Sequence, residues 1–183
     1  NEQQKHTQKQ LVKLQLRGRA SHLENRRSGT ANKGQALSYR LRLNWAQAIS
    51  HHTKATIEFD HIDTYWQARH GDGVRFNSKP PIPDAPSTQV NQAFIEFKSQ
   101  ELAASFGKKT LLLNNQRHIG SNGFWQDEQT FNRAHASYAF GLNSKATYYY
   151  INKAYRISGP HAGAKLTPSD INYTQLNGTR PLN

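Results

Sequence analysis

Apolar and polar residues alternate strictly through much of this chain. In segment 11–20, Val12, Leu14, Leu16, Gly18 and Ala20 share one face, while Lys13, Gln15, Arg17 and Arg19 share the other. Segment 37–45 sets Leu37, Tyr39, Leu41, Leu43 and Trp45 against Ser38, Arg40, Arg42 and Asn44. Segment 54–60 sets Ala55, Ile57 and Phe59 against Lys54, Thr56, Glu58 and Asp60. Segment 102–109 opposes Leu102, Ala104 and Phe106 to Ser105, Gly107 and Lys109. Segment 131–140 opposes Ala134, Ala136, Tyr138 and Phe140 to Arg133, His135 and Ser137. A period of two is the pattern of a β-strand with one apolar face. Segment 146–155 is less regular, with Tyr148 and Tyr150 on the apolar side. Segment 90–98 is ambiguous: Ile95 and Phe97 want one face, yet Phe94 falls on the other with Gln92 and Glu96.

Seven strands are therefore expected, and their connections alternate in length. Short polar turns fall at Ser50–Lys54, Lys98–Glu101 and Gly141–Lys145; longer polar segments fall at 24–34, 67–89 and 111–129. In an up-and-down order every long segment lies at one end. A soluble sandwich has no reason for that arrangement, whereas outer-membrane barrels have short periplasmic turns and long extracellular loops. Aromatic residues near strand ends agree with two interfacial girdles: Trp45, Tyr138, Phe140 and Tyr148 at the short turns, and Tyr39, Tyr65, Trp66 and Tyr155 at the long loops. The expected fold is all-β, an antiparallel up-and-down transmembrane β-barrel. Seven is an odd number, and open edges are not tolerated in lipid. The chain is thus expected to supply about seven strands of a larger barrel. Residues 1–10 read as an N-terminal periplasmic segment, 11–158 as barrel strands and loops, and 159–183 as an extracellular loop or the start of a further strand. An eighth strand around Ile171–Leu176 would instead close a small barrel.

Composition fits this reading. Only 35% of the 183 residues are apolar and mean hydropathy is −0.87, thin for a soluble core but suited to a barrel with a wet interior. No apolar run approaches the ~20 residues of a membrane helix. There is no signal peptide and no initiator Met, so Asn1 reads as a mature N-terminus or a fragment's start. Cysteine is absent, which excludes disulfides, a thiol nucleophile and thiolate metal sites. A net charge of +12 points to an anionic partner. Lys13, Arg17, Arg19, Arg40, Arg42, Lys109 and Arg133 fall on the polar face, against Glu58, Asp60 and Glu96. A lumen lined by Arg favours anions, and guanidinium forks suit carboxylates. The acidic residues could pair with neighbouring arginines or form a cation-favouring patch. Alternatively, all the charges pair with one another and hold a water-filled barrel rigid.

Residues 89–131 carry the most specific pattern. They include Gln89-Val90-Asn91-Gln92-Ala93-Phe94, Phe106-Gly107-Lys108-Lys109, Asn115-Gln116-Arg117-His118-Ile119-Gly120 and Gln126-Asp127-Glu128-Gln129-Thr130-Phe131. In that order these blocks resemble the alginate-export family of Gram-negative outer-membrane porins, and the resemblance extends over about 35–158. It implies a monomeric barrel in the outer membrane, in contact with its lipid, that passes an acidic polysaccharide or related small anion. It also implies anion-contacting roles for Arg117 and Lys109. Lys stands where the family commonly has Arg in the Gly-Lys-Lys motif, which weakens two-pronged carboxylate recognition there. The expected substrate-facing set is Arg17, Arg19, Arg40, Arg42, Glu58, Asp60, Lys109, Arg117 and Arg133.

Other chemistry is poorly supported. The adjacent His51 and His52 point to opposite faces of a strand, and no Cys partner or helical His pair exists, so no metal or cofactor is expected. No Gly-x-Ser-x-Gly elbow is present, so no catalysis is expected. A soluble basic β-barrel binding single-stranded nucleic acid would interleave aromatics with cations on one face. Here they lie on opposite faces, so nucleic acid is not the expected partner. A structural envelope barrel without transport is the other alternative.

Overall fold

A computed structural model describes residues 10–25, 32–66, 69–74, 79–113, 120–140 and 144–159. All seven expected strands are present: β1 Gln10–Asn25, β2 Asn32–Ala48, β3 Thr53–Tyr65, β4 Ser87–Lys98, β5 Leu102–Lys109, β6 Thr130–Phe140 and β7 Ser144–Tyr155. They form one open antiparallel sheet in sequential order. Among the described residues β1 pairs only with β2 and β7 only with β6. The meander sets the strand ends that flank 49–52, 99–101 and 141–143 on one side of the sheet, and those that flank 26–31, 66–86 and 110–129 on the other. The first of the long segments is shorter than expected. β1 and β2 stay paired out to Asn25 and Asn32, through weakly apolar residues whose alternation is hard to see in the sequence. No helix among the described residues is long and apolar enough to cross a membrane, which has no bearing on strands. Arg117, residues 160–183 with the candidate eighth strand, and residues 1–9 lie outside the described residues.

A β-bulge interrupts each of the two segments whose alternation is irregular. Along β3–β4, Glu58 pairs with Gln92 but Phe59 pairs with Val90, so Asn91 is the extra residue. The bulge turns both Asn91 and Gln92 towards Glu58. It leaves Phe94 on the polar face and Ile95 and Phe97 on the other. Along β6–β7, Asn132 pairs with Lys153 and Arg133 with Ile151, so Asn152 is extra. Such insertions reverse the facing of everything beyond them. Gly107 is required where β5 meets Phe94. It has φ +127°, and a Cβ there would lie 2.3 Å from the Ala93 carbonyl oxygen.

The two faces of the sheet have unlike surroundings. Leu14, Leu16, Leu41, Leu43, Phe59, Ile95, Phe106, Tyr138, Tyr148 and Tyr150 are exposed, with Leu16 at 75% and Phe106 at 74%. The opposite face is polar and largely covered. Ser38, Arg40, Arg42, Glu58, Asp60, Thr64, Asn91, Arg133 and Ser137 are buried there. The described parts of the connections 66–86 and 110–129 fold back over this face and bury their own His70, Asp72, Ile82, Asp84, Gln126 and Asp127. The apolar part of this interior is small: Ala36, Ile62, Ile82, Ala85, Leu111 and Phe131.

Candidate functional site

Alternation along β1, β2 and β3 aims their charged residues at one surface, and the two folded-back connections complete it. Arg17 reaches three successive carbonyls of the 110–129 connection. Its Nη1 donates to Gly123 at 3.0 Å and Trp125 at 3.2 Å, and its Nη2 donates to Phe124 at 2.8 Å. Arg19 lies over the rings of Phe124 and Trp125, 4.3 and 4.4 Å from their centroids. It also donates to Asp84 at 3.4 Å. Arg40 donates to the Gln126 carbonyl at 2.8 Å and meets Glu128 at 3.4 Å.

Arg42 holds the centre of this network. Its Nε and Nη2 engage the two oxygens of Asp60 at 2.7 and 2.6 Å, a two-pronged charge-assisted pair. Its Nη1 donates to Glu128 at 3.0 Å, and Glu58 lies 3.4 Å from Nε. Glu58 also accepts from Asn44, Asn91 and Gln92 at 2.8–3.0 Å. Asp60 is 1% exposed, so its charge is tolerated through this pairing rather than through water.

Acidic groups that the alternation could not reveal come from the connections. Asp84, fully buried, accepts from Ser38 Oγ at 2.9 Å and from the Gln126 backbone N–H at 3.0 Å. It thereby ties the two connections to each other and to β2. Glu128 bridges Arg40 and Arg42. Asp127 is held by amides: the Gln89 side chain donates to both of its oxygens at 2.8 Å, and the Glu128 N–H donates at 2.9 Å. Burial pushes the Asp127 carboxyl up to about 7, opposed by these hydrogen bonds and reinforced by the charge of Asp60. The run Gln126-Asp127-Glu128, a conspicuous motif in the sequence, is thus the anchor of a folded-back loop.

Nearer the short turns the face changes character. Lys109 and Lys54 both pair with Glu96, the latter at 3.3 Å. Lys109 also lies 4.2 Å from the Phe94 ring centroid. Arg133 is 8% exposed, yet its Nε and Nη1 have no hydrogen-bond partner. His135 and Tyr149 stack at 4.7 Å with 28° between their planes. These groups line a cavity of about 460 Å³.

Comparison with known proteins adds no further assignment. No protein-family model matches the chain, and no curated protein or solved structure is significantly similar to it. None of these comparisons bears on the resemblance to alginate-export porins, which rests on the quoted motifs alone.

The structure brings the expected site residues together in two groups. Arg17, Arg19, Arg40, Arg42, Glu58 and Asp60 belong to the network beneath the folded-back connections. Lys109 and Arg133 belong to the cavity near the short turns. Sequence reasoning missed Asp84, Asp127 and Glu128, which lie in connections, and the stacking of Tyr149 on His135, although setting Tyr148 and Tyr150 on the apolar side already turns Tyr149 to the polar one.

Proposed function

We propose that this chain forms part of the wall of an outer-membrane β-barrel whose polar face lines a passage for an anionic solute. The proposed cargo is an acidic, uronate-bearing polysaccharide or a related small anion. The single observation behind this reading is the inversion of the sheet: its leucines and aromatics are exposed and its arginines and carboxylates are covered. In water, a continuous bare apolar surface of this extent is a liability or an interaction site. In lipid, it is the required outer surface, and a hydrated, charged interior is the usual partner. Aromatics at both ends of the bare face, Tyr65 and Trp66 at one and Tyr138, Phe140 and Tyr148 at the other, favour the same environment. The quoted motifs favour a uronate over other anions.

A second reading, a sealed structural barrel of the envelope, is favoured by the engagement of Arg17, Arg40 and Arg42 by loop and strand partners. Two measurements on the full chain in a Gram-negative host test both. The passage reading expects extraction from the outer-membrane fraction only by detergent, and an anion-favouring reversal potential in planar bilayers that weakens with salt. Absence of conductance would leave the sealed barrel. Cation selectivity, or recovery in the soluble fraction, would refute the anion passage.

A further inference from the structure

We propose that the bare face of β5, β6 and β7 holds an anionic phospholipid, with its phosphate at Lys108 and Lys153 and one acyl chain between Phe106 and Tyr150. This rests on the membrane reading of that face and is independent of any solute passing behind it. Residues directly opposite one another in an antiparallel ladder share a face. One row across the three strands is Phe106, Ala134 and Tyr150. Two residues nearer the long connections, the row on the same face is Lys108, Asn132 and Lys153. The Asn152 bulge puts Lys153 there, because it sets Ile151 against Arg133 and Lys153 against Asn132. Without the extra residue, Lys153 would follow Tyr149 onto the polar face.

The two lysines form one patch. Lys108 Nζ lies 4.1 Å and Lys153 Nζ 4.8 Å from the centroid of the same Tyr155 ring. Like charges gathered on one ring repel, and an anion seated beside both relieves that repulsion. Lys108 donates to the Val90 carbonyl at 2.6 Å, which leaves other protons of its ammonium group to give. Lys153 is exposed. Among the described residues neither forms an ion pair. Asp127 and Asp60, whose charges reach Lys108, are buried on the polar side of the sheet. Residues 130–159 contain Arg133, Lys145, Lys153 and Arg156 and no Asp or Glu, so nothing on β6 or β7 offsets the patch.

An apolar furrow adjoins the patch. A cavity of about 210 Å³ is lined by Phe106, Gly107, Ala134, Tyr150, Asn132 and Asn152. Phe106 and Tyr150 are large and exposed, and the small Ala134 stands between them in the row. Lys108 and Lys153 lie near the long-connection ends of β5 and β7, beside Tyr155 at the end of β7. On a lipid-facing sheet that is the level of the aromatic girdle and the headgroups. Lysines there turn their ammonium groups to the interface, where the available anions are lipid phosphates. A free anion would leave the furrow unused, and an uncharged lipid would leave the two cations unused. An anionic phospholipid uses both.

The test is native mass spectrometry of the full chain released from a neutral detergent, titrated with dioleoyl phosphatidylglycerol or dioleoyl phosphatidylcholine. The parent, K153Q, K145Q, K108Q/K153Q and A134F are compared. The parent is expected to retain phosphatidylglycerol more tightly than phosphatidylcholine. K153Q should weaken phosphatidylglycerol about fivefold and K108Q/K153Q about thirtyfold, the effect of one and two interfacial lysines. K145Q removes the same charge at the opposite end of β7 and should leave the affinity unchanged. A134F fills the furrow and should weaken both lipids. Equal affinity for the two lipids, K153Q no weaker than K145Q, or displacement of phosphatidylglycerol by excess inorganic phosphate would overturn the lipid site. Unchanged affinity in A134F would overturn the place of the acyl chain. Should K108Q/K153Q fail to fold, the comparison of K153Q with K145Q decides alone. Fractionation separates this site from the membrane reading. A chain that needs detergent yet shows no preference for phosphatidylglycerol keeps the membrane reading and loses the site. A chain recovered in the soluble fraction that still takes phosphatidylglycerol over phosphatidylcholine keeps the site and loses the membrane reading.

Discussion

Replacing Asp127 by Asn should stabilise the protein, and only above a definable pH. Asp127 sits in the 110–129 connection, is 1% exposed, and is held by the Gln89 amide and the Glu128 N–H rather than by a cation. Burial raises its pKa from 3.8 to about 7. For an acid whose folded pKa is raised, the ionised form is the costly one. Stability is then fully present below the unfolded pKa and is lost as pH rises through the folded value. At 1.36 kcal/mol for each unit of pKa difference, the loss approaches about 4 kcal/mol once the pH exceeds about 7. Asparagine has the shape of the protonated acid. It keeps an acceptor for the Glu128 N–H, and Gln89 can meet it by rotating its own amide. Parent and D127N should therefore unfold at the same urea concentration near pH 4 and diverge between pH 4 and 7. The variant should be the more stable by up to about 4 kcal/mol at pH 8. Urea unfolding in detergent micelles, followed by tryptophan fluorescence, measures this, with Trp125 two residues from the substitution. A gap between the two proteins that does not change with pH, or a variant less stable than the parent at pH 8, would refute the reasoning.

Further predictions concern each layer of the sheet. Arg42→Met leaves Asp60 and Glu58 buried without their guanidinium and should cost about 3–5 kcal/mol in the same urea assay; a loss below about 1 kcal/mol would show that the network is not held by that pair. Leu41→Arg, on the bare face, should cost about 2–4 kcal/mol for insertion from urea into lipid vesicles if that face meets hydrocarbon. An effect near zero would mean that it faces water. Gly107→Ala should cost about 1–3 kcal/mol because the new Cβ meets the Ala93 carbonyl at a strained φ; a neutral result would place that backbone elsewhere. Arg40→Gln should shift the urea midpoint while leaving the reversal potential nearly unchanged, whereas a large loss of anion selectivity in that variant would assign the selective field to the wrong end of the sheet.

Much of the fold is legible because a period of two needs only residue polarity to be seen. In 11–20, 37–45 and 54–60 every leucine, arginine and carboxylate lies on the face its parity assigns. Legibility ends where one inserted residue breaks the parity. Asn91 and Asn152 are ordinary polar residues, and nothing local marks them as bulges. Phe94 does lie on the polar face with Gln92 and Glu96, as its parity has it, and there its ring sits beside the Lys109 ammonium. Tyr149 lies on the face opposite Tyr148 and Tyr150, as the alternation has it, but its stacking on His135 is not legible in the sequence. The covering connections were legible as long and polar but not as folded back. Their anchors, Asp84, Gln126 and Glu128, act through partners on β1 and β2 some 40 to 110 residues away in the sequence, a distance no spacing rule spans.

The same long-range partnerships relocate the electrostatics. A net charge of +12 says that the chain favours anions but not where. Beneath the folded-back connections, Arg17, Arg19, Arg40 and Arg42 face Glu58, Asp60, Asp84, Asp127 and Glu128, so that half of the polar face carries no cationic excess. Near the short turns Lys54, Lys109 and Arg133 have Glu96 as their carboxylate neighbour among the described residues. A field within a low-dielectric wall is strongest where charge is uncompensated, not where arginines are most numerous. The conspicuous arginines of β1 and β2 are therefore structural: each fixes a connection to the sheet and donates to protein acceptors there, although Arg40 Nε is left without a partner. In the proposed passage an anion would gain least beside them and most near Arg133, two of whose nitrogens have no partner in the protein. Division of labour between a saturated half and an unsaturated half lets one sheet carry both a rigid cover and a responsive charge.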